Sequence, residues 1–274
     1  MKDFKIATCQ MNVVDNKDTN IEHAIQLIKK ASSNGAKLIT LPEMFNTPYD
    51  NSKFIEYCEE ETTSKTLNSM QDIAREKNIY LQSGSIPEKE SNHLYNTAYL
   101  INPKGKIIGK HRKMHMFDID TDNMKFTESD TLTPGDSVTT IKTPLANISI
   151  AICYDIRFPE LWTLMNKNNS DIILLPGAFN KTTGPLHWET LIKARAIDNQ
   201  CYVVATSPSQ IENPYYVAWG HSMIVNPWGK IIAKAHENEE ILCANITQSS
   251  LSSVRNQIPV LTNRRNDIYD TILK

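Results

Sequence analysis

Leu41-Pro-Glu-Met-Phe-Asn46 and Leu175-Pro-Gly-Ala-Phe-Asn180 repeat one pattern, a Leu-Pro pair at the end of an apolar run with a Phe-Asn pair shortly after it. In each half of the chain this pattern follows a shorter match, Ile6-Ala-Thr-Cys9 in the first half and Ile150-Ala-Ile-Cys153 in the second. Each match is short, but the matches occur in the same order. We therefore predict that the chain consists of two structurally related halves.

A third match places the same turn in both halves. Ile101-Asn-Pro-Lys-Gly-Lys-Ile-Ile-Gly-Lys110 corresponds to Val225-Asn-Pro-Trp-Gly-Lys-Ile-Ile-Ala-Lys234, and in both stretches an Asn-Pro-x-Gly tetrapeptide separates two apolar runs. Proline and glycine suit a tight reversal of the chain. The third match therefore predicts a β-hairpin at the end of each half.

Strand-like and helix-like apolar patterns alternate along the first half, which favours an α/β fold. We predict strands at 4–10, 37–41, 79–86 and 95–101, and helices at 18–34 and 63–77. The 274 residues contain no Gly/Ser-rich or Pro-rich linker between the halves. We therefore predict a single domain, residues 1–274, in which two pseudo-symmetric halves pack their sheets face to face.

The composition disfavours several classes of protein. Hydrophobic residues make up 40% and the net charge is −2, so the chain can form a core and offers no general attraction to nucleic acid or to an anionic membrane. The apolar runs are much shorter than the roughly 20 residues of a bilayer span, and we expect no signal peptide before the strand predicted at 4–10. Five widely spaced cysteines predict neither a disulfide framework nor a zinc site, and they favour a cytoplasmic location.

Two chemically versatile residues stand where the halves differ. Cys9 is followed by Gln-Met-Asn-Val, whereas Cys153 is followed by the polar turn Tyr-Asp-Ile-Arg. We expect Cys153 at the carboxyl end of a strand and the amino end of a helix, where backbone amides favour a thiolate and bind an oxyanion. Glu43 stands where the second half has Gly177, and a carboxylate against a buried strand has a raised pKa that suits a base. A structural cysteine and a solvated loop acid are the alternatives.

The basic stretch Gly109-Lys-His-Arg-Lys-Met-His-Met-Phe-Asp118 admits three interpretations: a nucleic-acid patch, a metal site with His111 and His115, or a strand with Lys113 and His115 on one face. The first is disfavoured because the run is short and the protein is acidic. The second lacks further ligands at a recognisable spacing. In the third, Lys113 faces Glu43 and Cys153 and polarises a carbonyl. A solvated strand face is the alternative.

Three of these segments together resemble the catalytic segments of the nitrilase superfamily of carbon–nitrogen hydrolases: Leu41-Pro-Glu43, Arg112-Lys-Met-His-Met-Phe-Asp118 and Cys153-Tyr-Asp155. The resemblance extends from residue 6 to about residue 258. It implies a four-layer αββα sandwich, which agrees with the duplicated α/β halves. It also implies hydrolysis of a carbon–nitrogen bond without a metal or an organic cofactor.

By segment match, the resemblance implies a triad with Glu43 as general base, Lys113 as stabilising cation and Cys153 as nucleophile. The stretch Phe126-Thr-Glu-Ser-Asp-Thr-Leu-Thr-Pro-Gly135 resembles the segment that holds the family's additional active-site glutamate. This match assigns Glu128, for which a surface-loop acid is the alternative.

Amide hydrolysis requires residue types of this kind. A thiolate divides the reaction into acylation and hydrolysis, and the departing nitrogen must be protonated before it can leave. We expect Lys113 and the backbone N–H of Tyr154 to share the negative charge of the oxyanion; losing one such donor lowers the rate by a factor on the order of 10²–10³. The expected products are ammonia and a carboxylic acid, formed through a thioester.

Segments of the second half are similar to those of omega-amidases, which hydrolyse the terminal amide of alpha-ketoglutaramate and alpha-ketosuccinamate: 176–189, 194–200, 216–222 and 226–229. The resemblance implies a small substrate with a distal carboxylate. Arg157 is expected to clamp that carboxylate, and Thr183 to donate its hydroxyl to it. Phe179 and Tyr49 are expected to form an apolar wall. A salt bridge from Arg157 to Glu160 and a core role for Phe179 are the alternatives.

Two other functions stay open. One is hydrolysis of another small linear amide or an N-carbamoyl compound within the same superfamily. The other is a non-catalytic scaffold that retains the fold. The resemblance also implies a homodimer or a larger homo-oligomer. Apolar residues after Ile241 and in the tail Ile258–Leu261 are candidates for its interface, although core packing explains them equally well.

Overall fold

Two six-stranded sheets form the centre of the molecule. The computed structural model describes residues 1–121 and 124–274. The strands are β1 (Phe4–Gln10), β2 (Leu38–Thr40), β3 (Tyr80–Glu90), β4 (His93–Ile101), β5 (Ile107–Arg112), β6 (Asp118–Thr121), β7 (Met124–Thr127), β8 (Thr140–Lys142), β9 (Asn147–Ile150), β10 (Ile172–Pro176), β11 (Tyr202–Thr206), β12 (Met223–Val225), β13 (Ile231–Lys234) and β14 (Glu240–Ile246). The helices are α1 (Lys17–Ser33), α2 (Asn51–Tyr57), α3 (Lys65–Lys77), α4 (Pro159–Lys167), α5 (Glu189–Asn199) and α6 (Gln248–Gln257).

The two sheets share one topology. Their strand orders are β14-β1-β2-β3-β4-β5 and β8-β9-β10-β11-β12-β13. In each sheet the second, third and fourth strands run parallel, and the remaining strands pair antiparallel to their neighbours. The Asn-Pro-x-Gly turns join β4 to β5 and β12 to β13. The predicted pseudo-symmetry is therefore confirmed, and the first sheet takes its edge strand, β14, from the other end of the chain.

Helices cover the outer face of each sheet, and the inner faces pack against each other. In β1, Ile6 faces the second sheet, whereas Ala7 and Cys9 pack among residues of α1 and α3. The hydroxyl oxygens of Thr40 in β2 and Thr206 in β11 lie 2.6 Å apart across the interface of the sheets. The arrangement is the predicted αββα sandwich. None of the helices in the described ranges is long and apolar enough to cross a membrane.

The strand predicted around Lys113 ends earlier than expected. β5 stops at Arg112, so Lys113 and His115 do not share a strand face, and that prediction is wrong. The physical reason is a carboxylate that competes with the sheet. Asp155 Oδ1 accepts hydrogen bonds from the backbone N–H groups of Met114 (3.2 Å) and His115 (3.1 Å), which turns the chain away from β4.

Gly84 in β3 allows the Leu-Pro turn before Glu43 to approach the sheet. It has a left-handed φ of +64°, and a Cβ there would lie 2.2 Å from the carbonyl oxygen of Pro42. We predict that Gly84→Ala lowers the free energy of unfolding by about 2–4 kcal/mol, through backbone strain and overpacking together. Gly35→Ala is the matched control: φ is +87°, but the nearest atom to its Cβ is 3.9 Å away, so only strain applies. Urea denaturation compares the two variants, and equal losses would contradict the steric argument.

Candidate active site

Glu43 lies just beyond the carboxyl end of β2 and is 1% exposed. Its Oε1 accepts hydrogen bonds from Asn96 Nδ2 (2.8 Å) and Lys113 Nζ (3.1 Å). Its Oε2 accepts one from the backbone N–H of Ala178, 2.9 Å away, in the second half. Burial raises the pKa of Glu43 above its ordinary value; the cation of Lys113 opposes that shift and the charge of Glu128 adds to it. A carboxylate with a raised pKa can accept a proton and return it near neutral pH.

Lys113 is completely buried between two carboxylates. Its Nζ donates to both oxygens of Glu128 (2.9 and 2.8 Å), to Glu43 Oε1 (3.1 Å) and to the hydroxyl of Tyr49 (3.1 Å). Burial alone would lower the pKa of Lys113, but the carboxylates of Glu128 and Glu43 outweigh it and raise the pKa above its ordinary value. The ammonium charge is therefore retained inside the protein.

Glu128 opens a 3₁₀ turn after β7 and is fully buried, so it is not a surface-loop acid. Its Oε2 accepts a hydrogen bond from the backbone N–H of Phe117 at 2.6 Å. The hydroxyl of Tyr49 donates to its Oε1 at 3.0 Å. Tyr49 was predicted as an apolar wall; its ring does pack against that of Phe54, but its hydroxyl belongs to the charged cluster.

Cys153 follows β9 and begins a 3₁₀ turn, Cys153–Arg157, that leads into α4, as predicted. The residue has a left-handed φ of +45°, which is a strained conformation for a side chain of this type. A Cβ on Gly177 would lie 3.3 Å from the Cα of Cys153, so the absence of a side chain there allows the two strand ends to approach. The N–H of Tyr154 lies in the first turn, where helical amides have no intrahelical acceptor.

The carboxylate of Glu43 is the charged group that acts most strongly on the thiol of Cys153. Burial, together with the charge of Glu43, raises the pKa of Cys153 well above its ordinary value, and Lys113 and the N–H of Ala178 only partly offset this. The expectation of a thiolate favoured by helix amides is therefore not met in the free protein. The thiol therefore needs a base, and the buried carboxylate of Glu43 is the group whose charge acts on it most strongly.

Asp155 is a buried residue of this region that sequence analysis missed as a functional candidate. Its carboxylate accepts hydrogen bonds from His115 Nδ1 (2.8 Å) and from the backbone N–H of Ile152 (2.9 Å), and it lies 3.2 Å from His111 Nε2. Burial alone would raise the pKa of Asp155, but the two histidines lower it below its ordinary value. Asp155 thus joins the Lys113 segment to the Cys153 turn. The two histidines contact this carboxylate, and within the described ranges no His, Cys, Asp or Glu cluster is arranged for a metal ion.

Arg157 lies at the end of the same turn. Its two Nη atoms are each 3.3 Å from Nδ1 of His187, and its guanidinium carbon lies 5.1 Å from the ring centre of Phe179 and 5.5 Å from that of Tyr154. Arg157 forms no salt bridge with Glu160, nor with another carboxylate in the described part of the chain. The alternative of a structural salt bridge is therefore wrong.

The other two predicted substrate contacts lie on the loop after β10. The hydroxyl of Thr183 donates to Asn180 Oδ1 at 2.9 Å, and the backbone N–H of Thr183 bonds to the same oxygen at 2.8 Å. Phe179 is buried, with its ring centre 4.9 Å from that of Trp188. Phe179 thus combines core packing with contact to Arg157, whereas the Thr183 hydroxyl is engaged within its own loop.

A cavity reaches this cluster from the side of the 208–218 loop and is lined by Glu43, Tyr49, Ala178 and Tyr216, among others. Tyr216 was not singled out from the sequence. Its buried hydroxyl donates to the carbonyl oxygen of Ala178 at 2.5 Å, and the N–H of Ala178 contacts Glu43. Tyr216 stands more than sixty residues beyond Cys153 in the sequence, so spacing alone offered no signal for this contact.

Residues 5–256 match the model of the carbon–nitrogen hydrolase family. The chain belongs to this family, and it is an amide-hydrolysing enzyme of the nitrilase superfamily.

Individual relatives cover nearly the whole chain. The sequence is 46% identical over 270 residues to "Omega-amidase NIT2" of Xenopus tropicalis, with 98% of each chain covered. It is 43% identical to "Omega-amidase NIT2" of Homo sapiens over 100% of this chain and 99% of that one. Among solved structures, Nit3 of Saccharomyces cerevisiae, a member of branch 10 of the nitrilase superfamily, matches with a TM-score of 0.89 and 37% identity, covering 96% of this chain and 97% of that chain.

Tyr216→Phe tests whether the Ala178 peptide must be held in place. We predict a loss of about tenfold in kcat/KM for an amide substrate, since an unpaired buried carbonyl costs about 1–3 kcal/mol and frees the peptide that contacts Glu43. Tyr215→Phe is the matched control, because the Tyr215 side chain is 37% exposed and its hydroxyl bonds to Asp15 at the surface. Steady-state kinetics would contradict the prediction if both variants behaved alike.

Proposed function

We propose that the protein is an omega-amidase that releases ammonia from the terminal amide of small dicarboxylate monoamides such as alpha-ketoglutaramate and alpha-ketosuccinamate. One observation carries the proposal: the chain is 43–46% identical, over almost its full length, to proteins named omega-amidases. The buried contact between Glu43 and Lys113, and the effect of both charges on the Cys153 thiol, support a thiol mechanism for the reaction.

In the proposed acylation step, Glu43 accepts the proton of the Cys153 thiol as the sulfur attacks the amide carbon. The negative charge that develops on the amide oxygen is stabilised by Lys113 and by the N–H of Tyr154. Glu43 then transfers its proton to the nitrogen and the carbon–nitrogen bond breaks. Ammonia departs, and the acyl group remains on Cys153 as a thioester. The raised pKa of Glu43 supports this double role, since the carboxyl group must both take up and release one proton.

In the proposed hydrolysis step, Glu43 removes a proton from a water molecule that attacks the thioester carbon. The same oxyanion donors stabilise the second tetrahedral intermediate, and Cys153 leaves with the proton that Glu43 returns. Glu128 is proposed to keep Lys113 charged and oriented, because both of its oxygens accept hydrogen bonds from that ammonium group.

Substrate recognition is proposed to rest on Arg157, whose guanidinium group grips the distal carboxylate, with Phe179 and Tyr49 beside the substrate chain. Thr183 would contribute its hydroxyl after exchanging its bond to Asn180. The runner-up function is hydrolysis of another small linear amide or N-carbamoyl compound, which the same cysteine mechanism would serve. A non-catalytic scaffold is disfavoured, because Glu43, Lys113, Glu128 and Cys153 are all present and buried.

We further propose that the protein acts in the cytoplasm as a homodimer or a larger homo-oligomer. The described cysteines are all free thiols, which supports a reducing compartment. Exposed apolar side chains in the C-terminal tail support an interface between copies: Ile258, Val260, Ile268, Tyr269, Ile272 and Leu273.

Ammonia release tests the substrate and the nucleophile together. We predict preference for alpha-ketoglutaramate and succinamate over glutamine, asparagine and an N-carbamoyl amino acid, with activity abolished by Cys153→Ala. Cys58→Ala is the control, because the half-buried Cys58 lies outside the cluster and its loss should leave the rate unchanged. Turnover of only the other amides would contradict the proposed substrate but not the thiol mechanism. Activity in Cys153→Ala would contradict the thiol mechanism.

The pH dependence of kcat/KM tests Glu43 as the base. Since Glu43 must be ionised to accept the thiol proton and its pKa is raised, activity should fall on the acid side at a pH above the ordinary glutamate value of 4.5. The charge of Glu128 contributes to that raised pKa, so Glu128→Gln should move the acid limb to lower pH as well as reduce the rate. A limb at or below 4.5 in the unmodified enzyme, or an upward shift in the variant, would contradict the assignment.

A further inference from the structure

Arg157 contacts a histidine rather than a carboxylate. Guanidinium nitrogens are donors only, so Nδ1 of His187 must be the acceptor of the two contacts from Nη1 and Nη2, each at 3.3 Å. In that role Nδ1 carries no proton. A histidine that accepts in this way fixes the direction of the guanidinium group and takes away none of its charge, whereas a carboxylate partner would neutralise it.

One of the remaining donors of Arg157 has no acceptor among the described residues. His187 occupies the end of the guanidinium group, which leaves the side formed by Nε and Nη2. Nε is buried and has no hydrogen-bond partner within the described ranges, and no carboxylate there lies within 4.0 Å of this arginine. A buried donor of a charged group without a partner is unusual in a folded protein, and a carboxylate accepts from two parallel N–H groups of this kind.

The position of His187 is fixed by a packed turn. It lies in one turn of π-helix, Gly184–Trp188, directly before α5. A Cβ on Gly184 would lie 2.3 Å from the ring of Trp219, so the turn is seated against that ring. The indole N–H of Trp188 donates to the carbonyl oxygen of His221 at 2.8 Å. His187 is therefore presented to Arg157 by a turn that is packed at both of its ends.

We propose that His187 is a positioning residue for substrate specificity: it orients Arg157 toward the distal carboxylate of the amide substrate and leaves the full positive charge of the guanidinium group for that carboxylate. The inference rests on the proposed omega-amidase function. It assigns to His187 an effect on the choice between anionic and uncharged amides, and none on the chemistry at Cys153.

The experiment compares succinamate with butyramide, an uncharged amide of similar length. For each enzyme the kcat/KM ratio of the two substrates is measured. His187→Glu places a carboxylate beside Arg157 and should lower the ratio by on the order of tenfold or more, chiefly through KM for succinamate. His187→Gln keeps a neutral acceptor and should restore most of the ratio. Leu186→Glu is the matched control, since it adds the same charge one residue away, on a side chain that is 71% exposed.

The outcomes separate the two proposals. Wild-type enzyme that turns over amides without preferring succinamate would overturn the omega-amidase function, and the role of His187 with it. A wild-type preference that persists in His187→Glu would overturn the role of His187 alone. A preference lost equally in His187→Gln and in His187→Glu, or lost in Leu186→Glu as well, would show that charge beside Arg157 is not the determinant and would also overturn it.

Discussion

The Lys113 ammonium group, buried between the carboxylates of Glu43 and Glu128, is the interaction around which the candidate site is organised. A lone charge at such depth is unfavourable by several kcal/mol, so the ammonium group of Lys113 depends on the two carboxylates beside it. Burial and the charge of Glu128 raise the pKa of Glu43 in spite of Lys113, while the two carboxylates keep Lys113 charged. The two carboxylates therefore carry more negative charge than Lys113 neutralises. This excess favours the transfer of a proton from a thiol to Glu43.

The four-layer fold brings the two sides of this chemistry together. The first half supplies the buried charges Glu43, Lys113 and Glu128, and the second half supplies Cys153 and the Ala178 amide that touches Glu43. Both sets sit just beyond strand ends, because parallel strands in the two sheets point their carboxyl ends toward the same edge. The difference between the repeats is then understandable. Where the first half needs a carboxylate, the second needs Gly177, since a side chain there would press on Cys153.

Much of this arrangement could be predicted from the repeat and from short segments. The matched Leu-Pro and Asn-Pro-x-Gly patterns indicated two equivalent sheets, and the asymmetry between Glu43 and Gly177 pointed to the functional edge. The conformation around Lys113 could not be read in the same way. Its strand-like alternation is overridden by Asp155, a carboxylate some forty residues later whose hydrogen bonds to Met114 and His115 end the strand.

Contacts between distant segments account for the other omissions. Asn96 and Tyr216 are ordinary polar residues in their own segments, and their contacts with Glu43 and Ala178 form only when the strands of each half are assembled. The same holds for His187. Its sequence neighbours suggest a loop residue, and its meeting with Arg157 depends on the turn that Trp219 and Trp188 hold in place.

The pairing of β14 with β1 has a consequence for how the protein is made. In the completed sheet Phe4 lies opposite Ile246, so β1 is synthesised long before its partner strand β14. While the chain is being synthesised, β1 is an unpaired edge, and such edges are prone to pair with other chains. The first half can assemble its helices and inner strands early, but its sheet is finished only after the second half has left the ribosome. Completion of the first sheet is thus tied to synthesis of β14, and until then the exposed edge of β1 is the surface that a chaperone would cover.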